Sequence, residues 1–154
     1  MDYDDLYNVT WENIPEAVTL PDGGYLLKGA NMAFIKPKEE GKGGKVLFTY
    51  KAKEPVSVDQ DALDDLPQGY DLDINDLNFT IWIESASDWN KVRDHLSLHG
   101  VETAGPLFVN GKLAAAKDFK GSEVVAQVST SFYKNNAGET IPQNNLKQFQ
   151  RVAE

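Results

Sequence analysis

Lys45-Val46-Leu47-Phe48-Thr49-Tyr50-Lys51-Ala52-Lys53 is the stretch that decides the fold. Val46, Phe48, Tyr50 and Ala52 alternate with Lys45, Leu47, Thr49, Lys51 and Lys53, and a period of two belongs to a strand with one buried and one wet face. The wet face is rich in lysine. Pro55 is expected to break the strand. Upstream, Glu39-Glu40-Gly41-Lys42-Gly43-Gly44 has the composition of a mobile hairpin loop. The mostly apolar run from Tyr25 to Ile35, interrupted by Lys28 and Asn31, supplies a partner strand, and Pro21-Asp22-Gly23-Gly24 is the turn before it.

The same reading continues downstream. The acidic run 59–76 reads as a long loop with one short helical turn. Residues 78–84 alternate again, with Phe79, Ile81 and Ile83 inward and Thr80 and Trp82 outward. Ser85 and Asp88 have the spacing of a capping box. They precede a helix with the stripe Trp89, Val92, Leu96 and His99, and Gly100 stands where a C-terminal glycine belongs. After a Gly-Pro connector, Gly121 to Tyr133 reads as a strand with Val124, Ala126, Val128 and Phe132 on one side. Asn135-Asn136-Ala137-Gly138 is a hairpin turn. The returning segment, Thr140 to Val152, has two readings. A helix would line up Leu146, Phe149 and Val152; a strand sets Lys147, Phe149 and Arg151 on one face. The hairpin turn before it favours the strand. The order β-β-β-α-β-β predicts a mainly β fold, a five-stranded OB-fold-like barrel with one α-helix between strands 3 and 4, although small β-sandwiches share the order.

The 154 residues fit one domain, 1–154, divided into an acidic lead-in arm over 1–20 and the barrel over 21–154. Trp11, Ile14, Val18 and Leu20 are available to anchor the arm. The N-terminus is acidic and no apolar run reaches membrane length, so neither signal peptide nor anchor is expected. With 0 cysteines the chain has no thiolate chemistry, which suits a cytoplasmic setting. Charge is laid out by segment. Residues 1–24 hold six acids and no Lys or Arg, 25–58 seven lysines against three glutamates, and 59–90 nine acids and no base. A net charge of −9 opposes indiscriminate duplex binding, but this alternation places a basic track on an acidic body.

Catalytic and metal motifs fail on inspection. Asp71, Asp73 and Asn75 imitate the start of a calcium loop, yet Asp76 replaces its turn glycine and Trp82 its bidentate glutamate. His95 and His99 are four apart on the helix without a third ligand, and the expected arrangement is a core-facing His99 and an exposed His95. Gly41-Lys42-Gly43-Gly44-Lys45 lacks phosphate-loop spacing. No nucleophile has a base partner. A non-enzyme without cofactor is expected.

Leu20-Pro21-Asp22-Gly23-Gly24-Tyr25-Leu26-Leu27-Lys28, Asp118-Phe119-Lys120-Gly121-Ser122-Glu123-Val124-Val125, and the segment from Tyr133 through Gly138 to Asn144-Asn145-Leu146-Lys147-Gln148-Phe149 together resemble a family of tailed-phage single-stranded-DNA-binding proteins with an oligonucleotide-binding fold. Ser122 departs from the lysine usual there, and Arg151-Val152-Ala153-Glu154 is not the strongly acidic tail that usually recruits replication partners. The resemblance implies sequence-independent binding of single-stranded DNA in phage DNA replication and recombination, within the host cytoplasm. It implies phage or host replication and recombination proteins as partners, and leaves a homodimer open.

Such binding needs cations along the backbone path and aromatic faces for bases, each stacked base being worth roughly 1–3 kcal/mol. The candidates are Lys36, Lys38, Lys42, Lys45, Lys51 and Lys53, the outward Trp82, Tyr133 with Lys134, and Phe149 between Lys147 and Arg151. A competing expectation is an acidic interaction protein: an inhibitor whose carboxylates over 59–90 imitate nucleic-acid phosphate, or a virion accessory protein.

Overall fold

The lysine strand becomes the second strand of one antiparallel sheet. A computed structural model describes residues 19–39 and 43–152. Its strands are β1 (Gly23–Ile35), β2 (Gly44–Val58), β3 (Leu77–Ile83), β6 (Glu123–Lys134) and β7 (Thr140–Gln150), in the spatial order β3-β2-β1-β6-β7. The short β4 (Phe108–Val109) and β5 (Lys112–Leu113) pair only with each other. Among the helices, α1 (Gln60–Asp64) and a 3-10 turn over Leu72–Ile74 lie in the acidic run. The helix α2 (Trp89–Leu98) follows β3, and α3 (Ala116–Phe119) precedes β6.

Strand length explains how one sheet curves around a core. β1 spans 13 residues and is shared: Gly23–Lys28 pair with β6, while the whole strand pairs with β2. Three register shifts against β2, the last between Gly29 and Asn31, bend it between the two duties. At the bend, Gly29 donates its N–H to the Ser122 carbonyl oxygen (2.7 Å) and accepts from the Gly121 N–H (2.8 Å). A Cβ at Gly29 would collide with the Phe119 carbonyl oxygen, so only glycine lets α3 approach this closely.

Inward residues of every main strand meet α2 in one core: Tyr25, Leu27, Val46, Phe48, Tyr50, Leu77, Ile81, Val124, Val128 and Leu146 from the sheet, with Val92 and Leu96 from the helix. Asp88 closes the capping box, accepting from the Ser85 N–H at 3.0 Å and the Glu84 N–H at 2.8 Å, and Gly100 ends the helix at φ 73. Among the described residues, no helix is long and apolar enough to cross a membrane.

Several expectations need correction. The sheet is not closed into a barrel: β3 and β7 approach each other, and Phe79 and Phe149 lie 4.7 Å apart across them, but no ladder joins the edges. A cleft of about 480 Å³ lined by Asn75, Asp76, Asn78 and residues 141–145 separates them. Asn144 is engaged elsewhere, its side chain accepting from the Leu20 N–H (2.8 Å) and donating to the Leu20 carbonyl (3.0 Å). Pro55 does not end β2, which runs on to Val58. β3 has finished by then, so β2 is an edge strand there and tolerates a residue without an N–H. Phe132, placed on one side of the strand with Val124, Ala126 and Val128, does not share their burial and is 68% exposed, because the β6–β7 hairpin continues past the Gly23 end of β1 into solvent. His95 is buried beside His99. The connector over 101–120 carries β4, β5 and α3. Residues 1–18 of the acidic arm, and Lys42 in the hairpin loop, lie outside the described residues.

Candidate nucleic-acid interface

Cross-strand register assembles the outward face of β1, β2 and β3 row by row. Ile35, Lys45 and Trp82 form one row, Ala33, Leu47 and Thr80 the next, then Asn31, Thr49 and Asn78, and finally Lys28 beside Lys51. Directly opposed residues in an antiparallel ladder share a face and have Cβ atoms about 4.5–5.5 Å apart. The four rows therefore make one contiguous surface. Thr49 and Asn78 are tied across it by a 3.1 Å side-chain hydrogen bond.

The two ends of that surface differ. At one end Trp82 is 59% exposed, and the Lys45 ammonium sits 5.3 Å from its ring centroid, within cation–π range. Lys36 and Lys38 follow β1 at this end and are exposed. At the other end, Lys28, Lys51 and Lys53 line an open cleft of about 530 Å³ with Tyr70, Asp71 and Asp73. Two of these lysines already have partners: Lys51 pairs with Asp76 at 2.6 Å and Lys53 with Glu123 at 3.3 Å. Lys28 has no ion pair among the described residues. The acidic run thus lies against the lysine strand instead of standing away from it.

The remaining candidates do not join this face. Tyr133 (48% exposed) and Lys134 lie with Phe132 on the projecting hairpin, beyond the opposite end of β1 from Trp82. Lys147 and Arg151 are exposed near the end of β7, where Arg151 Nη2 donates to Ser97 Oγ at 3.1 Å. Phe149 does not share their face. A register shift in β7, with Gln148 at φ 53, turns the ring inward. It packs against Phe79 (4.7 Å), His95 (4.6 Å) and Tyr50 (5.8 Å).

Beneath the face lies a polar node with no outlet. His99 Nδ1 donates to the His95 carbonyl oxygen at 2.8 Å, which leaves His99 Nε2 an acceptor. The Tyr50 hydroxyl, 2.7 Å from both His99 Nε2 and His95 Nε2, therefore donates to His99 and accepts from His95. Burial lowers both histidines, His95 to about 3 with His99 adding repulsion, and raises the Tyr50 hydroxyl above its ordinary value. Both rings are neutral and are tied together through the Tyr50 hydroxyl, a structural use. The described residues contain no group of three or more metal-ligating side chains.

Lys28, Ile35 and Phe132 are members of the exposed surface that the sequence reading did not single out. Lys28 gains its place only through register with Lys51, which periodicity within one strand cannot reveal. Compared with known proteins, the chain matches no family model, no curated protein and no solved structure.

Proposed function

We propose that the chain binds single-stranded DNA without sequence preference along the outward face of β1, β2 and β3, as a non-enzymatic coating protein of phage replication or recombination in the host cytoplasm. The observation that carries this reading is the exposed Trp82 ring with Lys45 over it, at the head of a strand face that continues to Lys51 and Lys28. A base stacks on the indole while Lys45 meets the adjacent phosphate, the pairing of ring and cation on which sequence-tolerant binding depends. Lys45 to Lys51 covers about 20 Å of strand. The strand order β3-β2-β1-β6-β7, with β7 returning beside β3, supports an oligonucleotide-binding barrel that is left open at that seam.

Fluorescence anisotropy of a labelled poly-dT oligonucleotide, with a duplex control, tests the proposal. Binding should be selective for the single strand and weaken with salt at a log–log slope of roughly −0.7 per neutralised phosphate. A salt-independent signal, or none at low salt, would remove it. The Lys51–Asp76 and Lys53–Glu123 pairs favour a second reading, in which lysines brace a carboxylate surface for a basic partner protein. Under that reading, reversing the charges of Asp59, Asp61, Asp64 and Asp65 abolishes function while Lys51→Glu does little.

A further inference from the structure

The connector between α2 and β6 builds a stiff prong beside a cleft. Phe108 pairs with Leu113 and Val109 with Lys112, and the two turn residues Asn110 (φ 53) and Gly111 (φ 78) are both left-handed. That is the signature of a two-residue type I′ hairpin turn, whose twist matches the flanking strands. The prong is fixed at its base. Ala114 N–H donates to the Leu107 carbonyl oxygen at 2.9 Å, and Leu113 is buried in the core. One flank is braced by aromatic contacts, Phe108 lying 5.6 Å from Phe34 and 5.8 Å from Trp89. Yet its large apolar side chains face water: Leu107 is 50%, Phe108 39% and Val109 50% exposed. Three adjacent exposed hydrophobes on a rigid projection make a contact surface.

Next to it is a cleft of about 310 Å³ between α2 and this connector. Its apolar lining includes Met32, Trp89 and Pro106, and its charged groups are Glu102, Asp118 and Arg93, two acids against one base. The prong tip carries the opposite charge, Lys112. Knob and hole therefore lie side by side on one surface, with apolar matter and charge complementary between them. A surface that carries a knob and a hole together can close on its own copy about a two-fold axis.

We propose that two copies of this chain associate through reciprocal insertion of the prong, with Val109 seated in the partner's cleft and Lys112 meeting its Glu102 or Asp118. Residues 102–112 are exposed without interruption. With the exposed positions Asn90 and Arg93 of α2 they make a patch smaller than the roughly 20 residues a side of a standard interface, the size of a weak contact that dissociates on dilution. The prong is already ordered in the single chain, so docking loses little conformational freedom. Met32 is an inward position of β1 while the lysine face is its outward side, which leaves Trp82 and Lys45 outside the contact.

Light scattering on an analytical size-exclusion column, run over a dilution series, tests this. Wild type should show twice the single-chain mass and dissociate on dilution. Val109→Asp should raise the dimer dissociation constant by at least about tenfold, while an unchanged circular dichroism spectrum shows that the chain still folds. Lys112→Glu should weaken the dimer, and adding Glu102→Lys or Asp118→Lys should restore it. A monomer at every soluble concentration overturns the proposal and leaves the prong to a different protein. A dimer indifferent to Val109→Asp, a mass that grows beyond two chains, or failure of both charge reversals to rescue Lys112→Glu also overturns it.

Discussion

Along β2, the inward Val46, Phe48, Tyr50 and Ala52 are buried, whereas the outward Lys45, Leu47, Thr49 and Lys51 keep part of their surface in water. The inward side chains contact many neighbours each, and among the described residues no buried side-chain nitrogen or oxygen lacks a partner. The outward ones make single, solvated contacts: a cation over a ring, one hydroxyl–amide bond, one ion pair. Energy of folding resides on the first side, where removing an atom leaves a hole. The second side is nearly free of folding duties, so its residues are available to a ligand. Substitutions should separate cleanly by face, and a substitution that moved both stability and binding would break the distinction.

Phe149 gives the largest expected effect because it lies on the inner side despite its flanking Lys147 and Arg151. Phe149→Ala removes a ring packed against Phe79, His95 and Tyr50 and should destabilise the fold by about 3 kcal/mol. The shift in urea midpoint measures this, and DNA affinity of the folded fraction should hold. Acidification probes the same interior. His95 is lowered to about 3 in the folded chain, so below pH 6.5 the unfolded chain takes up a proton that the folded chain refuses. Stability is therefore full above that pH and falls as pH drops toward 3. By pH 5 His95 alone should cost about 2 kcal/mol, with His99 acting in the same direction. Urea midpoints at pH 7 and pH 5 read the difference, and His95→Phe, which keeps an aromatic ring among Phe48, Phe79 and Phe149, should shrink it to the share that His99 contributes.

On the outer side, Trp82→Ala should weaken poly-dT binding roughly tenfold, about 1.5 kcal/mol. This sits in the lower half of the stacking range because Lys45 already covers one part of the ring. The urea midpoint should stay within about 0.5 kcal/mol of wild type, as for an exposed position. Equal binding by the variant would remove Trp82 from the interface.

The sequence made most of this division legible. Strict alternation over 45–53 separated the faces of β2, and a capping box with a closing glycine delimited α2. What escaped it was set by contacts between distant segments. The Gln148 shift that turns Phe149 inward has no local signature, since glutamine does not advertise a left-handed backbone. His95 entered the core because Phe48, Phe79 and Phe149 converge on it, which widens the buried face of α2 beyond the stripe that period 3.6 marks. The prong was readable: Asn110-Gly111 between two short apolar runs is a strong hairpin signal. The open seam between β3 and β7 was not, because it depends on how two edges meet.

The smallest effect examines where the acidic run touches the outer face. Asp76 holds the Lys51 ammonium at 2.6 Å, with both side chains well exposed, so the pair contributes at most about 1 kcal/mol to stability. Its consequence for a ligand is larger than for the fold, because a lysine held by a carboxylate must give that partner up before it meets a phosphate. Asp76→Asn removes the competing charge while keeping the side-chain shape. Affinity for poly-dT at low salt should rise a few-fold, and the salt dependence should steepen by roughly 0.7 as Lys51 joins the backbone path. The unfolding midpoint should barely move. Weaker binding in Asp76→Asn would mean that the carboxylate organises the face instead of blocking it, and would shift weight to the basic-partner reading.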